Sequence, residues 1–235
     1  MRVVQIWRYP VKSMGGEPLR SVDVGTGGLP FDRRYAVMDS DPDRPGKPLT
    51  ARIDKRLLGY AAGVRAGVTY VRTPAGEEHR IDEDVWLDAL ARGIDRPVTR
   101  RVSEAPIHDD SDVLVVSAAS LRTLADEYGA FVHPLRFRPN FVVDGPDLTG
   151  FLEESWAGDI NVGAAVLRVA YPCERCVVTT IDPESLETDP KFLRLVVERH
   201  AGNFGVYCSV VKGGIVAVGD EWRVRQSKRA SEVRV

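Results

Sequence analysis

Residues 165–180 read Ala-Val-Leu-Arg-Val-Ala-Tyr-Pro-Cys-Glu-Arg-Cys-Val-Val-Thr-Thr, a strand-like run followed directly by a Cys-x-x-Cys pair. Because β-branched and aromatic residues favour strands, Ala165 to Tyr171 is predicted to be extended. Val177 to Thr180 are all β-branched, and this favours extended chain over the start of a helix. The cysteine pair is therefore predicted to lie within β structure.

Similar short runs, bounded by turn residues, recur along the rest of the chain. They are Val3 to Tyr9, Arg34 to Met38, Thr69 to Arg72, Val113 to Val116, Phe137 to Val143, Val206 to Val211 and Glu221 to Val224. Lys212-Gly213-Gly214 separates two apolar runs, and glycine supplies the positive φ that hairpin turns need, so a hairpin is predicted there.

Helices are few. Ser117 precedes a segment with Leu121, Leu124 and Tyr128 at helical spacing, and Gly129 ends it. A second helix is predicted over Lys191 to His200, and a short third one over Asp84 to Ala91. The predicted class is mainly β (α+β), with a few packed helices.

The composition is that of an ordinary globular protein, with 235 residues, 43% of them hydrophobic and 28% charged. The formal net charge of -2 gives no general attraction to nucleic acid or anionic lipid. The apolar run in Met1 to Ser13 is broken by polar and charged residues, so it is read as a strand and not as a signal peptide or membrane span. No nucleic-acid or membrane partner is expected.

The polar stretch from Ser103 to Asp112 is the predicted domain boundary. It separates an N-terminal β portion, 1–102, from a C-terminal portion, 103–225, that contains all three cysteines. Residues 226–235 are charged without periodicity and are predicted to be a loose tail. Three cysteines cannot form a disulfide scaffold in a chain of this size, and the odd number suits a reducing compartment, so a cytoplasmic location is expected.

The Cys-x-x-Cys pair allows several kinds of chemistry. Structural zinc needs four ligands, usually including a second Cys or His pair. The other candidate ligands, none of them paired at finger-like spacing, are Cys208, His79, His108, His133 and His200. A thioredoxin-like dithiol needs its first cysteine at a helix start, which the β-branched residues after Cys176 disfavour.

Two further interpretations stay open. A buried cysteine often behaves as a small hydrophobic residue, and a thiolate can bind a transition metal that a separate cofactor mainly holds. The second role needs cations near the sulfur, and Arg175 is adjacent to Cys176 in the sequence.

Basic residues occur on predicted turns elsewhere in the chain. Lys12-Ser13 follows a proline-stiffened turn that could present an ammonium and a hydroxyl group to a phosphate. Asp32-Arg33-Arg34 opens another strand. Alternation along Arg136-Phe137-Arg138-Pro139-Asn140 would place Arg136, Arg138 and Asn140 on one strand face. Taken singly, each has an ordinary alternative: Lys12 as a solvated charge, Arg33 paired with Asp32 or Asp39, and Arg138 as an edge charge.

Taken together and in order, these segments resemble the MOSC domain family, and within it most closely the mitochondrial amidoxime-reducing components and their bacterial relatives. The segments that carry the resemblance are Tyr9-Pro10-Val11-Lys12-Ser13, Asp32-Arg33, Thr50-Ala51-Arg52, Ser117-Ala118-Ala119-Ser120-Leu121, Phe137-Arg138-Pro139-Asn140, Pro172-Cys173-Glu174-Arg175-Cys176, Thr179-Thr180-Ile181-Asp182-Pro183, Phe204-Gly205-Val206-Tyr207 and Val218-Gly219-Asp220. They extend over nearly the whole chain.

The resemblance implies an N-terminal MOSC β-barrel portion and a MOSC domain with a β-barrel core, with a molybdenum pterin cofactor between them. Cys176 falls at the position of the metal ligand, which is also the catalytic position. Lys12, Ser13 and Arg33 match residues that bind the phosphate and pterin end of the cofactor. Residues at positions that line the cofactor pocket are Ser117, Arg138, Asn140, Arg175 and Tyr207. Cys173 and Cys208 are expected to be packed, structural cysteines.

The implied activity is reduction of small N-hydroxylated compounds, amidoximes or hydroxylamines, by a molybdenum-dependent oxidoreductase. Electrons would come from a separate protein of reductase, ferredoxin or flavodoxin type, because three cysteines cannot ligate a four-cysteine iron–sulfur cluster unaided. The family is also associated with pyridoxal phosphate, but only at the level of the family as a whole. One alternative is a cofactor or sulfur carrier that uses a persulfide on Cys176, and another is a thiol redox switch formed by Cys173 and Cys176.

Overall fold

The computed structural model describes residues 1–40, 46–107 and 110–225. The predicted tail 226–235 and the candidate ligand His108 lie outside the described residues. The strands are β1 (Arg2–Arg8), β2 (Glu17–Leu19), β3 (Ser21–Val24), β4 (Tyr35–Asp39), β5 (Ala61–Arg65), β6 (Val68–Arg72), β7 (Glu78–Arg80), β8 (Val98–Val102), β9 (Val113–Ser117), β10 (Phe141–Asp144), β11 (Asp159–Val162), β12 (Ala165–Glu174), β13 (Asn203–Lys212), β14 (Gly214–Ala217) and β15 (Trp222–Arg225). The α-helices are α1 (Val85–Ile94), α2 (Ala118–Tyr128) and α3 (Pro190–His200). The predicted mainly β class with a few helices is confirmed.

An eight-stranded sheet forms the centre of the fold, in the order β15-β11-β12-β13-β9-β10-β1-β2. Its neighbours are antiparallel except for β9 and β10, which run parallel. The sheet curls back on itself, because Val3 N–H donates to Asp220 O over 3.0 Å and Trp222 N–H donates to Met1 O over 2.9 Å. The first strand of the chain is therefore part of the same curled sheet as the strands around the cysteines.

Alternating side chains of these strands fill the interior of the curled sheet, as expected for strands with one buried face. Val3 and Ile6 of β1 are each 1% exposed and pack in one cluster with Phe141 and Trp222. The rings of Phe141 and Trp222 lie 5.9 Å apart.

Residues 11–98 form a second hydrophobic core beside this sheet. Two small sheets, β4-β8 and β5-β6-β7, pack with α1 around the fully buried Trp86 and Leu57. The buried side chains of α1 recur on one face, and the helix runs on to Ile94, beyond the predicted end at Ala91.

The other two helices agree closely with prediction. Ser117 caps α2 by accepting a hydrogen bond from Ser120 N–H over 3.0 Å, and Gly129 ends the helix with φ of 77°. Asp189 caps α3, and Pro190 takes the first helical position, where its missing N–H costs nothing. None of the helices in the described ranges is long and apolar enough to cross a bilayer.

The predicted extended chain after Cys176 is wrong. Val177–Thr180 form one turn of 3-10 helix. The hydroxyl groups of Thr179 and Thr180 donate to the carbonyl groups of Cys176 and Val177, over 2.9 and 2.7 Å. These local side-chain bonds stabilise a turn in spite of the β-branched composition.

The predicted strand Phe137 to Val143 begins only at Phe141. Residues Pro134–Arg136 form a 3-10 turn, and Arg138 has φ of 55°, which breaks the extended chain. The expected placement of Arg136 and Arg138 on one strand face is therefore wrong, and Arg136 instead forms an ion pair with Asp182 over 2.9 Å.

The predicted hairpin at Lys212-Gly213-Gly214 is also wrong, because β14 pairs with β3. A Cβ atom on Gly213 would lie 2.5 Å from Val24 O, and one on Gly214 would lie 2.6 Å from the Ala164 carbonyl group. The two glycines thus permit close approach of neighbouring backbones.

Candidate active site

A cleft with a cavity volume of about 100 Å³, partly open to solvent, lies where the turns of residues 11–52 face the loop before β10 and the end of β12. Among the described residues that line it, six are cationic and two are carboxylates. The cations are Lys12, Arg33, Arg52, Arg136, Arg138 and Arg175, and the carboxylates are Asp110 and Glu174. This excess of positive charge favours an anionic ligand.

Most of the residues predicted for the site meet in this cleft, although they are far apart in the sequence. The cleft is lined by Lys12, Ser13, Arg33, Arg138, Asn140, Arg175, Cys176 and Tyr207. Ser117 is not among the lining residues. It is fully buried at the end of β9, where its Oγ caps α2 and its N–H donates to Glu153 over 3.1 Å.

Three of the lining residues have left-handed backbone. The φ angles of Ser13, Arg33 and Arg138 are 67°, 48° and 55°. Positive φ is uncommon outside glycine and often occurs at functional sites, where surrounding contacts enforce it. Such contacts are present, since Arg33 N–H donates to Tyr9 O over 2.7 Å and Arg138 N–H donates to Leu135 O over 3.2 Å.

Tyr9 is 1% exposed and lies beneath Arg33 and Arg138, which form the side of the cleft called here the cationic wall. The guanidinium groups of Arg33 and Arg138 lie 4.8 and 4.4 Å from the centroid of its ring, within cation–π distance. Burial raises the pKa of Tyr9 far above its usual value, against the opposing effect of Arg138 and Arg33. The neutral phenol donates to Pro139 O over 3.0 Å, which fixes the segment containing Arg138.

Asp32 and Asn140 form hydrogen bonds with Tyr9, with Arg33 and with each other. Asp32 accepts from Tyr9 N–H over 2.7 Å and from the amide of Asn140 over 3.2 Å, and it forms an ion pair with Arg33. Asn140 Oδ1 in turn accepts from Arg33 over 3.2 Å and from Leu114 N–H over 3.1 Å. The ordinary alternative for Arg33, pairing with Asp32, is thus part of the site.

The two cysteines of the pair have different surroundings. Cys173 is 1% exposed and lies in β12, whereas Cys176 is half-buried at the start of the 3-10 turn. Arg175 donates to Cys173 Sγ over 2.7 Å and to Phe137 O over 2.8 Å. The expected contact between Arg175 and Cys176 is therefore replaced by one with Cys173, and Arg175 lies just beyond the end of β12.

The sulfur of Cys176 is contacted from the other half of the chain. Arg52 Nε donates to Cys176 Sγ over 3.3 Å. The motif Thr50-Ala51-Arg52 was expected from the sequence, but no role was predicted for Arg52 or for Tyr9, and Asp32 was predicted only as a possible partner of Arg33. Cys208 is fully buried, and burial raises the pKa of its thiol to about 12, as suits a structural cysteine.

Tyr207 lines the cleft from β13, and its ring packs edge to face with Tyr171 at 5.7 Å. Gly205 precedes it by two residues with φ of 76°, and a Cβ atom there would lie 2.6 Å from Val115 O. Only glycine allows β13 to approach β9 so closely, and the position of Tyr207 depends on that approach.

The cleft fits an anionic cofactor better than a metal ion held by protein ligands alone. Within the described ranges, no three His, Cys, Asp or Glu side chains are grouped as a metal site requires. The described histidines interact with glutamates elsewhere, His79 with Glu83, His133 with Glu184 and His200 with Glu127. The Nε atom of Arg175 is buried at the cleft without a hydrogen-bond partner among the described residues, and so can donate to a ligand.

The fold is thus a curled β-sheet, and the site is a cation-lined cleft with a half-buried thiol. The model of the MOSC domain matches residues 103–223, and that of the MOSC N-terminal beta barrel domain matches residues 1–88. The chain belongs to the MOSC domain family.

Curated relatives extend the match to most of the chain. It is 34% identical to mitochondrial amidoxime reducing component 2 of Rattus norvegicus, over 93% of this chain and 81% of the relative. It is 26% identical to mitochondrial amidoxime-reducing component 1 of Homo sapiens, again over 93% and 81%. The crystal structure of the YUAD protein from Bacillus subtilis has the same fold, with a TM-score of 0.52, 18% identity, and coverage of 94% of this chain and 93% of that one.

Proposed function

We propose that the cleft binds a molybdenum pterin cofactor, that the Cys176 thiolate is a ligand of the metal, and that the protein reduces N-hydroxylated compounds. The observation that carries the proposal is the placement of the Cys176 sulfur at a cleft lined by six cations. Thiolates suit soft transition metals, and a cofactor with phosphate and dithiolene groups brings several negative charges. The relatives named as amidoxime-reducing components support the choice of reaction.

Two groups of cleft-lining residues would bind different parts of the cofactor. Lys12, Ser13 and Arg33 lie together on the N-terminal turns and would bind its phosphate and pterin end. Arg138, Asn140, Arg175 and Tyr207 would hold the remainder, with the buried Nε of Arg175 as one available donor. The first group lies in the proposed N-terminal portion, 1–102, and the second in the proposed MOSC domain, 103–225. Both portions would therefore contribute to one site.

The reaction breaks an N–O bond. An amidoxime takes up two electrons and two protons, its nitrogen is reduced to that of an amidine, and its oxygen leaves as water. The bound cofactor supplies the two-electron chemistry. The residues of the chain supply orientation and charge: Cys176 fixes the metal end, and the cations keep the anionic group in place.

The electrons would come from a separate donor protein of reductase, ferredoxin or flavodoxin type. The described residues contain three free cysteines, fewer than a four-cysteine cluster requires. Free thiols also suit a reducing compartment, and we place the protein in the cytoplasm.

A cofactor or sulfur carrier is the second candidate, because the half-buried thiol of Cys176 could also hold a persulfide. The thiol switch is less well supported, since Cys173 is 1% exposed and is hydrogen-bonded to Arg175. A persulfide on Cys176 in mass spectrometry, with no reductase turnover, would favour the carrier.

The test is reduction of benzamidoxime by protein made in a host that synthesises the cofactor, with a chemically reduced dye as electron donor. The wild type should turn over, Cys176→Ala should lose turnover, and Cys208→Ser should keep it because Cys208 lies outside the cleft. Turnover and molybdenum retained in Cys176→Ala would contradict the proposal.

A further inference from the structure

Arg52 reaches the proposed metal ligand from the N-terminal half of the chain. Its Nε atom lies 3.3 Å from Cys176 Sγ. Other cations of the cleft donate to other atoms, such as Lys12 to Ile107 O over 3.1 Å, Arg138 to Met14 O over 2.5 Å and Arg175 to Cys173 Sγ over 2.7 Å. Among the described residues, Arg52 is thus the cation that donates a hydrogen bond to the sulfur of Cys176.

The local structure holds Arg52 in that position. Backbone N–H groups of Ile53 and Asp54 donate to Thr50 O over 2.8 and 3.0 Å, which forms a turn around Arg52. Asp54 then caps the 3-10 helix Lys55–Gly59. The turn is therefore a defined element and not a loose loop.

This element is also fixed to the part of the chain that follows Cys176. Lys55 Nζ donates to Thr188 Oγ1 over 3.2 Å, and Leu57 of the same 3-10 helix is fully buried. Thr188 and the turn after Cys176 are linked in turn, since Ile181 and Thr188 form a β-bridge. The segments that carry Arg52 and Cys176 are thus linked by contacts outside the cleft.

A hydrogen bond to a ligating sulfur changes the metal as well as the ligand. It fixes the orientation of the side chain and withdraws electron density from the sulfur, and hydrogen bonds of this kind raise the reduction potential of a bound metal. We propose that Arg52 is a positioning residue that holds the Cys176 sulfur and raises the reduction potential of the molybdenum. This inference rests on the proposed function.

The experiment compares wild-type holoprotein with Arg52→Gln and Arg52→Lys. Molybdenum content, the electron paramagnetic resonance spectrum of the half-reduced metal and its reduction potential are measured for each. Arg52→Gln should show a changed spectrum and a lower potential than the wild type, and Arg52→Lys should restore part of both. Loss of molybdenum from Arg52→Gln that Arg52→Lys restores would support the same role.

Arg56→Gln is the matched control. Arg56 lies in the adjoining 3-10 helix, pairs with Asp54 over 2.5 Å and is not among the residues that line the cleft. An unchanged spectrum and potential in Arg52→Gln, or an equal shift in Arg56→Gln, would overturn the role of Arg52 while leaving the proposed function intact. Absence of molybdenum from the wild type would instead reject the proposed function itself.

Discussion

Replacing Asp32 with asparagine tests how the cationic wall of the cleft is held. The Asp32 carboxylate is 1% exposed and accepts hydrogen bonds from Tyr9 N–H and Asn140, besides its ion pair with Arg33. Asparagine keeps the shape of the Asp32 side chain but loses its charge. Its NH₂ group must also face one of the groups that donate to Asp32. Arg33 would then retain a poorly compensated charge, with only 14% of its side chain exposed.

Removing one partner of a buried ion pair usually costs about 3–5 kcal/mol. Because Arg33 keeps some contact with solvent, we expect Asp32→Asn to lower the free energy of unfolding by about 3 kcal/mol. Urea denaturation at pH 7, followed by circular dichroism, measures this difference.

Asp82→Asn provides the matched control. Asp82 pairs with Arg80 on the surface, where the two side chains are 60% and 53% exposed. A fully solvated pair contributes little to stability, so this variant should differ little from the wild type. A loss in Asp32→Asn no larger than that in Asp82→Asn would refute the reasoning.

Two further predictions concern residues near the cleft and the sheet. Gly205→Ala should lose about 1–3 kcal/mol more unfolding free energy than Gly67→Ala. Both glycines have φ near 77°, but only at Gly205 would the Cβ atom meet a backbone carbonyl. Equal losses in urea denaturation would contradict this prediction. Burial, with the nearby Glu153 carboxylate, raises the pKa of Glu154 to about 7 from 4.5. The folded state therefore holds this proton more tightly, and wild-type stability falls as the pH rises from about 4.5 to 7. With allowance for the partial exposure of Glu154, the stability of Glu154→Gln relative to the wild type should increase by about 1–2 kcal/mol between pH 4 and pH 8. A stability difference that does not change with pH would contradict this prediction.

The strands and helices could be predicted where side-chain pattern and local structure agree. Capping by Ser117 and termination by Gly129 depend on neighbours along the chain, so α2 was predicted within a residue. The pairing of β14 with β3 depends on the close approach of distant backbones, which the glycines at 213 and 214 permit but do not specify.

The site was predictable mainly through the resemblance to a family. Composition and spacing left zinc, a dithiol and plain packing open for the Cys-x-x-Cys pair. The sequence pattern singled out Lys12, Arg33 and Asn140, but only the shared motifs gave them a common role. The contacts themselves were not predictable. Adjacency in sequence favoured Arg175 as the partner of Cys176, but Arg175 instead donates to Cys173, and the tertiary fold brings Arg52 to Cys176.

The central claim is that Cys176 ligates the metal of a bound molybdenum pterin cofactor. Its most direct test is molybdenum analysis with pterin fluorescence on wild-type protein, Cys176→Ser and Cys208→Ser, all produced in a cofactor-competent host. We expect stoichiometric molybdenum and pterin in the wild type and Cys208→Ser, and loss of molybdenum from Cys176→Ser. A wild type without molybdenum, or a Cys176→Ser variant that retains it in full, would contradict the claim.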